Sequence, residues 1–330
     1  MRRTSRSTVH AVLLVLASAC APDAQEGGSP QVGSGTNPDT SPARRAEAVS
    51  LLGDTLVAPP LPETVEAERL ARYREAEEAL AAAPGDADAL IWMGRRAAYL
   101  GRYGDAIDVY SQALELHPQD ARLYRHRGHR YLTTRQFDAA IADLRRAAEL
   151  TSGKPDEVEP DGMPNAAGIP TSTLQFNIWY HLALAYYLKG DYASAAEAYA
   201  QCASVSVHPD SKVATAYWQV MTLKRLGRAA EAEAVLARIT PGMEVIESGG
   251  YLELLLLHKG ERSAEDLVGP AGGNVTLEST TTGYGVGAWL LMGGDTARAV
   301  GVFRQTVAGR DQWAAFGYIA AEAELARLGG

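Results

Sequence analysis

The segment Arg122 to Arg130 reads RLYRHRGHR and collects Arg122, Arg125, Arg127 and Arg130 with His126 and His129. On a helix the two histidines share a face three residues apart, a spacing that can suit a divalent cation. The flanking guanidiniums make the local field hostile to one, and no carboxylate completes an HExxH set, so no metal is expected. Gly283-Tyr284-Gly285-Val286-Gly287 lacks the lysine of a phosphate loop and any preceding strand, so close helix contact explains it better. No Gly-x-Ser-x-Gly elbow occurs. Asp156, Glu157, Glu159 and Asp161 do not follow the spacing of a calcium loop and read as a solvated acidic loop. Neither a catalytic residue nor a cofactor is expected, and the arginines suggest binding rather than reaction.

The elements that would position these groups show in a self-comparison. At an offset of 34, Gly94 maps to Gly128, Tyr103 to Phe137, Ala106 to Ala140, Ile107 to Ile141, Ala113 to Ala147 and Leu116 to Leu150. Small residues stand where two helices must approach, an aromatic opens the second helix, and Pro118 follows its end. Gly94, Gly101, Tyr103, Ala106, Tyr110, Ala113 and Pro118 resemble the tetratricopeptide repeat, and Tyr124, Gly128, Tyr131, Phe137, Ala140 and Ala147 repeat the pattern. A third unit keeps Ala183, Tyr186, Gly190, Tyr192, Ala195, Tyr199 and Cys202, which makes Cys202 a small core residue. A fourth keeps Gly227, Ala232 and Leu236, and Gly294, Ala299 and Phe303 mark another near the end. The resemblance implies an all-α solenoid, a right-handed superhelix of five to six repeats plus end helices.

Asp86 or Asp88, Asp120 and Asp210 stand where helix N-caps are wanted. The array is expected over 63–240, led by a polar end helix and interrupted by an insertion at 151–175. Four prolines exclude a helix through the middle of that insertion, and Met163, Ile169 and Leu174 offer apolar anchors for an ordered flap. Residues 241–330 read as degenerate repeats with a C-terminal capping helix from about Gln312 to Leu328.

In the tetratricopeptide family the first helix of each unit lines a concave groove. Transferred residue by residue, that resemblance implies a stripe containing Trp92, Arg95 and Tyr99 in the first unit and Arg122, Arg125 and His129 in the second. The third unit adds Asn177 and Tyr180, and the fourth adds Tyr217 and Trp218. A basic, aromatic groove in a chain of net charge −9 suggests an anionic or peptide partner held by Arg95, Arg122 and Arg125. The acidic balance argues against nucleic acid. The family's clamp of Lys, Asn and Arg for peptide carboxylates is not reproduced.

Arg2, Arg3 and Arg6 precede an apolar run from Ala11 to Ala17, a pattern that identifies residues 1–19 as an export signal. Cys20 after small residues resembles a bacterial lipobox, which implies lipidation at Cys20. Residues 20–62, rich in Gly, Ser and Pro, read as a flexible linker. The expected protein is a lipid-anchored interaction scaffold of the cell envelope, on the outer membrane or periplasmic face, with free secretion as the alternative. A periplasmic glycan or small-molecule binding protein is the rival reading, and an enzyme on a helical scaffold the third.

Overall fold

The computed structural model describes residues 45–268 and 275–329. The export signal, Cys20 and the linker as far as residue 44 lie outside them. A hairpin of β1 (Ala46–Val49) and β2 (Thr55–Val57) comes first, followed by the polar helix α1 (Glu63–Ala82). Six helix pairs follow: α2 (Ala87–Tyr99) with α3 (Tyr103–Leu116), α4 (Ala121–Thr133) with α5 (Phe137–Thr151), and α6 (Leu174–Lys189) with α7 (Tyr192–Val205). The array continues with α8 (Pro209–Arg225) and α9 (Ala229–Leu236), α10 (Gly249–His258) and the single turn α11 (Ala264–Leu267), and α12 (Leu277–Met292) with α13 (Thr296–Ala308). A last helix, α14, spans Phe316–Leu328.

The 34-residue step has a steric basis. A Cβ on Gly94 would come within 2.4 Å of the Tyr110 ring, and one on Gly128 within 2.8 Å of Leu144. Glycine at this position lets the first helix of a pair seat against the second. Asp86 and Asp120 cap α2 and α4 by accepting the Ala89 and Arg122 amides. Asp210 is not an N-cap. The preceding His208 starts α8, and the Asp210 carboxylate accepts the amides of Ile246, Glu247 and Ser248, tying that helix to the next pair. Burial raises the pKa of Asp210, but these backbone donors outweigh it and hold the group below the usual carboxylate range.

Two expectations are corrected. Residues 46–57 belong to a hairpin, not to a flexible linker: Leu56 packs with Trp313 and Tyr318, and Trp313 Nε1 donates to the Val57 carbonyl at 2.8 Å. The last helix, expected from about Gln312 as a C-terminal cap, is not confined to the end of the array. It starts at Phe316, and Gly317 through Leu325 are all buried. Its Glu322 pairs with Arg135 at 2.5 Å and accepts the Leu51 amide of the hairpin, Glu324 pairs with Arg225, and Arg327 donates to the Leu188 carbonyl. These partners sit at the ends of the first helices of three successive pairs, so α14 crosses back over the array and fills part of its inner face. A Cβ on Gly317 would lie 2.5 Å from the Thr280 carbonyl oxygen, which shows how closely α14 and α12 approach.

Arg135 carries this closure at a conformational cost. The turns inside the other pairs use glycines in the left-handed region, Gly101, Gly190, Gly227, Gly260 and Gly294, whereas Arg135 has φ of 65° at the place 34 residues beyond Gly101. That conformation costs an L-residue roughly 1–2 kcal/mol. The Arg135 guanidinium offsets it by bonding Glu322 and the carbonyls of Trp313 and Thr133 and by lying over the Trp313 ring.

A candidate binding cleft beneath the insertion

The first helices of the first two pairs, α2 and α4, supply the floor of a cavity of about 280 Å³ whose roof is the insertion between α5 and α6. Arg95 and Tyr99 of α2 and Arg125, His126, His129 and Arg130 of α4 face it from below. Glu159, Asp161, Met163 and Thr171 of the insertion close it from above, with Glu247 at its edge.

The three arginines differ in how they are satisfied. Arg95 is buried, donates to the Tyr99 hydroxyl through Nε and Nη2 at 3.3 and 3.2 Å, and lies 4.4 Å from the Trp92 ring centroid. Arg130 lies over the Tyr103 ring at 5.5 Å. Neither has a carboxylate partner within ion-pair distance among the described residues. Arg125, also buried, lies with Nε 2.9 Å from Glu159 Oε2, yet the angle leaves that N–H without a hydrogen bond. Burial lowers the pKa of Arg125; Glu159 opposes the shift, and the charges of Arg95 and Arg130 add to it. Of the three guanidiniums, only that of Arg125 is therefore ion-paired, although Asp161 and Glu247 also line the cavity.

The histidines are neutral supports rather than further charges. Burial, then the neighbouring arginine charges, hold His126 and His129 well below their ordinary pKa, and the same order of causes applies to His181. His126 Nδ1 is 3.1 Å from Arg125 Nη1, so it accepts there, and its proton sits on Nε2, 3.9 Å from Glu159 Oε1. His129 stacks on His181 at 4.2 Å, and Phe316 of α14 lies 5.6 Å from the same ring. No group of three or more His, Cys, Asp or Glu is placed to hold a metal ion among the described residues.

Of the stripe expected from the sequence, Arg95, Tyr99, Arg125 and His129 come together in the cleft. Trp92 backs it through its stack with Arg95. Asn177 reaches it indirectly, donating through Nδ2 to Glu159 Oε2 and to Ser172 Oγ, each at 3.1 Å. Arg122 is elsewhere: it pairs with Asp120 and with Asp88, at 2.6 Å each, on the outer edge. Tyr180, Tyr217 and Trp218 are buried in the core and offer no groove surface. Trp218 Nε1 donates to the Tyr180 hydroxyl at 2.8 Å, and Tyr217 stacks on Tyr251. Closure by α14 and the tight approach of α10 and α12 convert these positions from groove to core. Sequence reasoning missed Glu159 as a partner of Arg125, Arg130 as part of the floor, and Glu247. Helical spacing places Arg130 one turn after His126 on α4, the signal that could have found it.

The helix pairs that carry this floor can be compared with known proteins. A family model described as TPR repeat matches residues 94–134, and one described as tetratricopeptide repeat matches 176–206. The chain carries tetratricopeptide repeats. Arg95, Arg125 and Arg130 lie in the first matched segment, Asn177 and His181 in the second, and the insertion falls between the two. No curated protein matches the chain. Among solved structures, a tetratricopeptide repeat protein from Parabacteroides merdae is 14% identical, with 77% of this chain and 93% of that one covered and a TM-score of 0.46. YrrB, a TPR protein with an unusual peptide-binding site, is 14% identical over 71% of this chain and 91% of its own, with a TM-score of 0.41. MamA is 17% identical over 61% and 92%, with a TM-score of 0.40. The described residues form an all-α solenoid of such repeats, an architecture that serves as a protein-interaction scaffold.

Proposed function

We propose that this scaffold acts in the bacterial envelope, tethered through a lipid on Cys20, and that its cleft holds an acidic segment of a protein partner. One observation carries the choice of partner: Arg95, Arg125 and Arg130 line one cavity in which, among the described residues, only Arg125 is ion-paired, with Glu159, while Asp161 and Glu247 of the lining accept hydrogen bonds from the roof itself. Arg95 and Arg125 are buried and Arg130 is partly so, and such cations favour carboxylates because charge-assisted hydrogen bonds strengthen where water is excluded. The net charge of −9 confines the attraction to this cleft, since the chain as a whole repels anions. The export signal and the cysteine after it support the tether; labelling cells with a palmitate analogue should mark the wild type and not Cys20→Ser.

The test of the cleft is a titration of the full chain with a capped hexapeptide bearing two adjacent glutamates, and with its glutamine counterpart. Binding of the acidic peptide alone, reduced at least tenfold by the double variant Arg95→Ala with Arg130→Ala, is the expected result. Equal affinity for both peptides, or no effect of the double variant, contradicts the reading. A small anionic molecule is the second reading, favoured by the size of the cavity, which sits near the lower end for small-molecule sites. A neutral glycan is disfavoured because Tyr180, Tyr217 and Trp218, the rings that would stack on it, are in the core.

A further inference from the structure

The insertion is an unusual roof. A segment held by burial would turn its apolar side chains inward, yet Val158, Met163 and Ile169 are 62%, 53% and 48% exposed. The roof's buried side chain is instead Glu159, 10% exposed and directed at Arg125. The remaining attachments are polar. Arg96 Nη1 donates to the Gly162 carbonyl at 3.1 Å, and Glu247 accepts from Asn165 Nδ2 and Thr171 Oγ1 at 2.8 Å each. At its base, Thr173 Oγ1 donates to Asp156, and the Leu174 amide donates to the Glu157 carbonyl. Apart from the part-buried Arg96 bond, these hydrogen bonds lie at exposed sites, where water competes for both partners and each holds the roof weakly.

Glu159 is also an incomplete partner. Its carboxylate balances the charge of Arg125 without giving the Nε–H a hydrogen bond, and neither it nor Asp161 or Glu247, which line the same cavity, is within ion-pair distance of Arg95 or Arg130. Resting on the reading of the cleft as an acid-binding site, we propose that Glu159 is a resident stand-in for the partner. The partner is a segment with two neighbouring carboxylates, the first exchanging with Glu159 on Arg125 and the second seated between Arg95 and Arg130. Exchange of one carboxylate for another leaves the charge on Arg125 balanced throughout, so no buried guanidinium is stranded when the roof lifts. The second carboxylate supplies the gain that drives the exchange. Glu159 thereby sets a threshold: a segment with one acid only trades like for like, whereas a segment with two gains a new pairing.

The experiment uses the same acidic hexapeptide, a version with a single glutamate, and inorganic phosphate, titrated into the full chain and into Glu159→Gln and Glu159→Ala, with folding checked by circular dichroism. Both variants should bind the two-glutamate peptide about tenfold more tightly than the wild type. They should also bind the single-glutamate peptide measurably where the wild type does not, because Arg125 then awaits a carboxylate. Unchanged affinity in both variants, with binding still lost in the Arg95→Ala, Arg130→Ala protein, overturns the stand-in role and leaves the acid-binding cleft intact. Loss of sensitivity to the arginines overturns both. Phosphate binding that gains from Glu159→Gln while neither peptide binds overturns the peptide partner in favour of a free anion.

Discussion

The C-terminal helix and the insertion both bring carboxylates onto arginines of the concave face, and they are held there by different forces. Around Glu322 and Glu324, α14 buries Tyr318, Ile319, Ala320, Ala321, Ala323 and Leu325, and Phe316 packs against the rings of His129, His181 and Tyr180. The insertion buries Leu174 at its junction with α6 and the Glu159 side chain, and leaves Val158, Met163 and Ile169 about half exposed or more. An ion pair set in apolar packing is a permanent part of the fold, since neither charge can leave without unpacking the helix. One set beside a cavity under a polar roof can change partners. The same chemistry therefore closes the solenoid at one place and leaves it open to exchange at another.

The sharpest way to break this comparison is at Glu322. Replacing it with Ala strands the guanidinium of Arg135, which is almost wholly enclosed, and removes the acceptor of the Leu51 amide. Losing one partner of a buried pair typically costs about 3–5 kcal/mol. Urea unfolding followed by tryptophan fluorescence should show a loss of that size. Arg135→Gly should lose less, because it also relieves the left-handed backbone. An equal loss in the two variants would mean that the turn is not strained.

Acidification should come next in size. His126, His129 and His181 are held neutral by burial, with folded pKa values well below the ordinary value near 6.5. Because the unfolded chain takes up protons first, their contribution is fully present above about pH 6.5 and is lost as the pH falls below it. Each contributes a loss on the order of 1 kcal/mol at one pH unit below the ordinary value. Stability measured between pH 7.5 and 5.5 should fall accordingly, and His129→Gln should flatten the slope by about one proton. A pH-independent stability over that range would place these rings in water.

Glu159→Gln should have the smallest effect on stability, below that of Glu322→Ala, because the glutamine oxygen still offers Arg125 an acceptor beside a cavity and the roof contributes little packing. A loss comparable with that of Glu322→Ala would make the insertion as structural as α14.

The repeats were legible because their spacing is steric: Gly94 and Gly128 recur under a bulky side chain of the partner helix, and such a requirement leaves a mark in the chain. The order of the array, the leading helix and the position of the insertion follow from it. The inward turn of α14 was not legible. Its glutamates have the pattern of a wet face, and only distant arginines, Arg135 and Arg225, make them buried. The hairpin hid for a similar reason, since a few residues around Leu56 gain their order from Trp313, far along the chain. The same long-range closure removed Tyr180, Tyr217 and Trp218 from the groove that local spacing assigned them to. The site kept Arg95, Tyr99, Arg125 and His129 because α2 and α4 alone position them. One local clue went unused: the repeat step puts Arg135 where Gly101 stands, and an arginine at a turn that favours glycine signals a partner elsewhere.

Amide hydrogen exchange on the full chain, with and without the acidic hexapeptide, tests the difference between the two regions most directly. In the free protein, amides of residues 317–325 should exchange only on global unfolding, and those of 157–174 orders of magnitude faster. Adding the peptide should accelerate exchange across 157–174 and leave 317–325 unchanged. Slower exchange in the insertion on adding peptide, or equal protection of the two regions without it, would contradict the account.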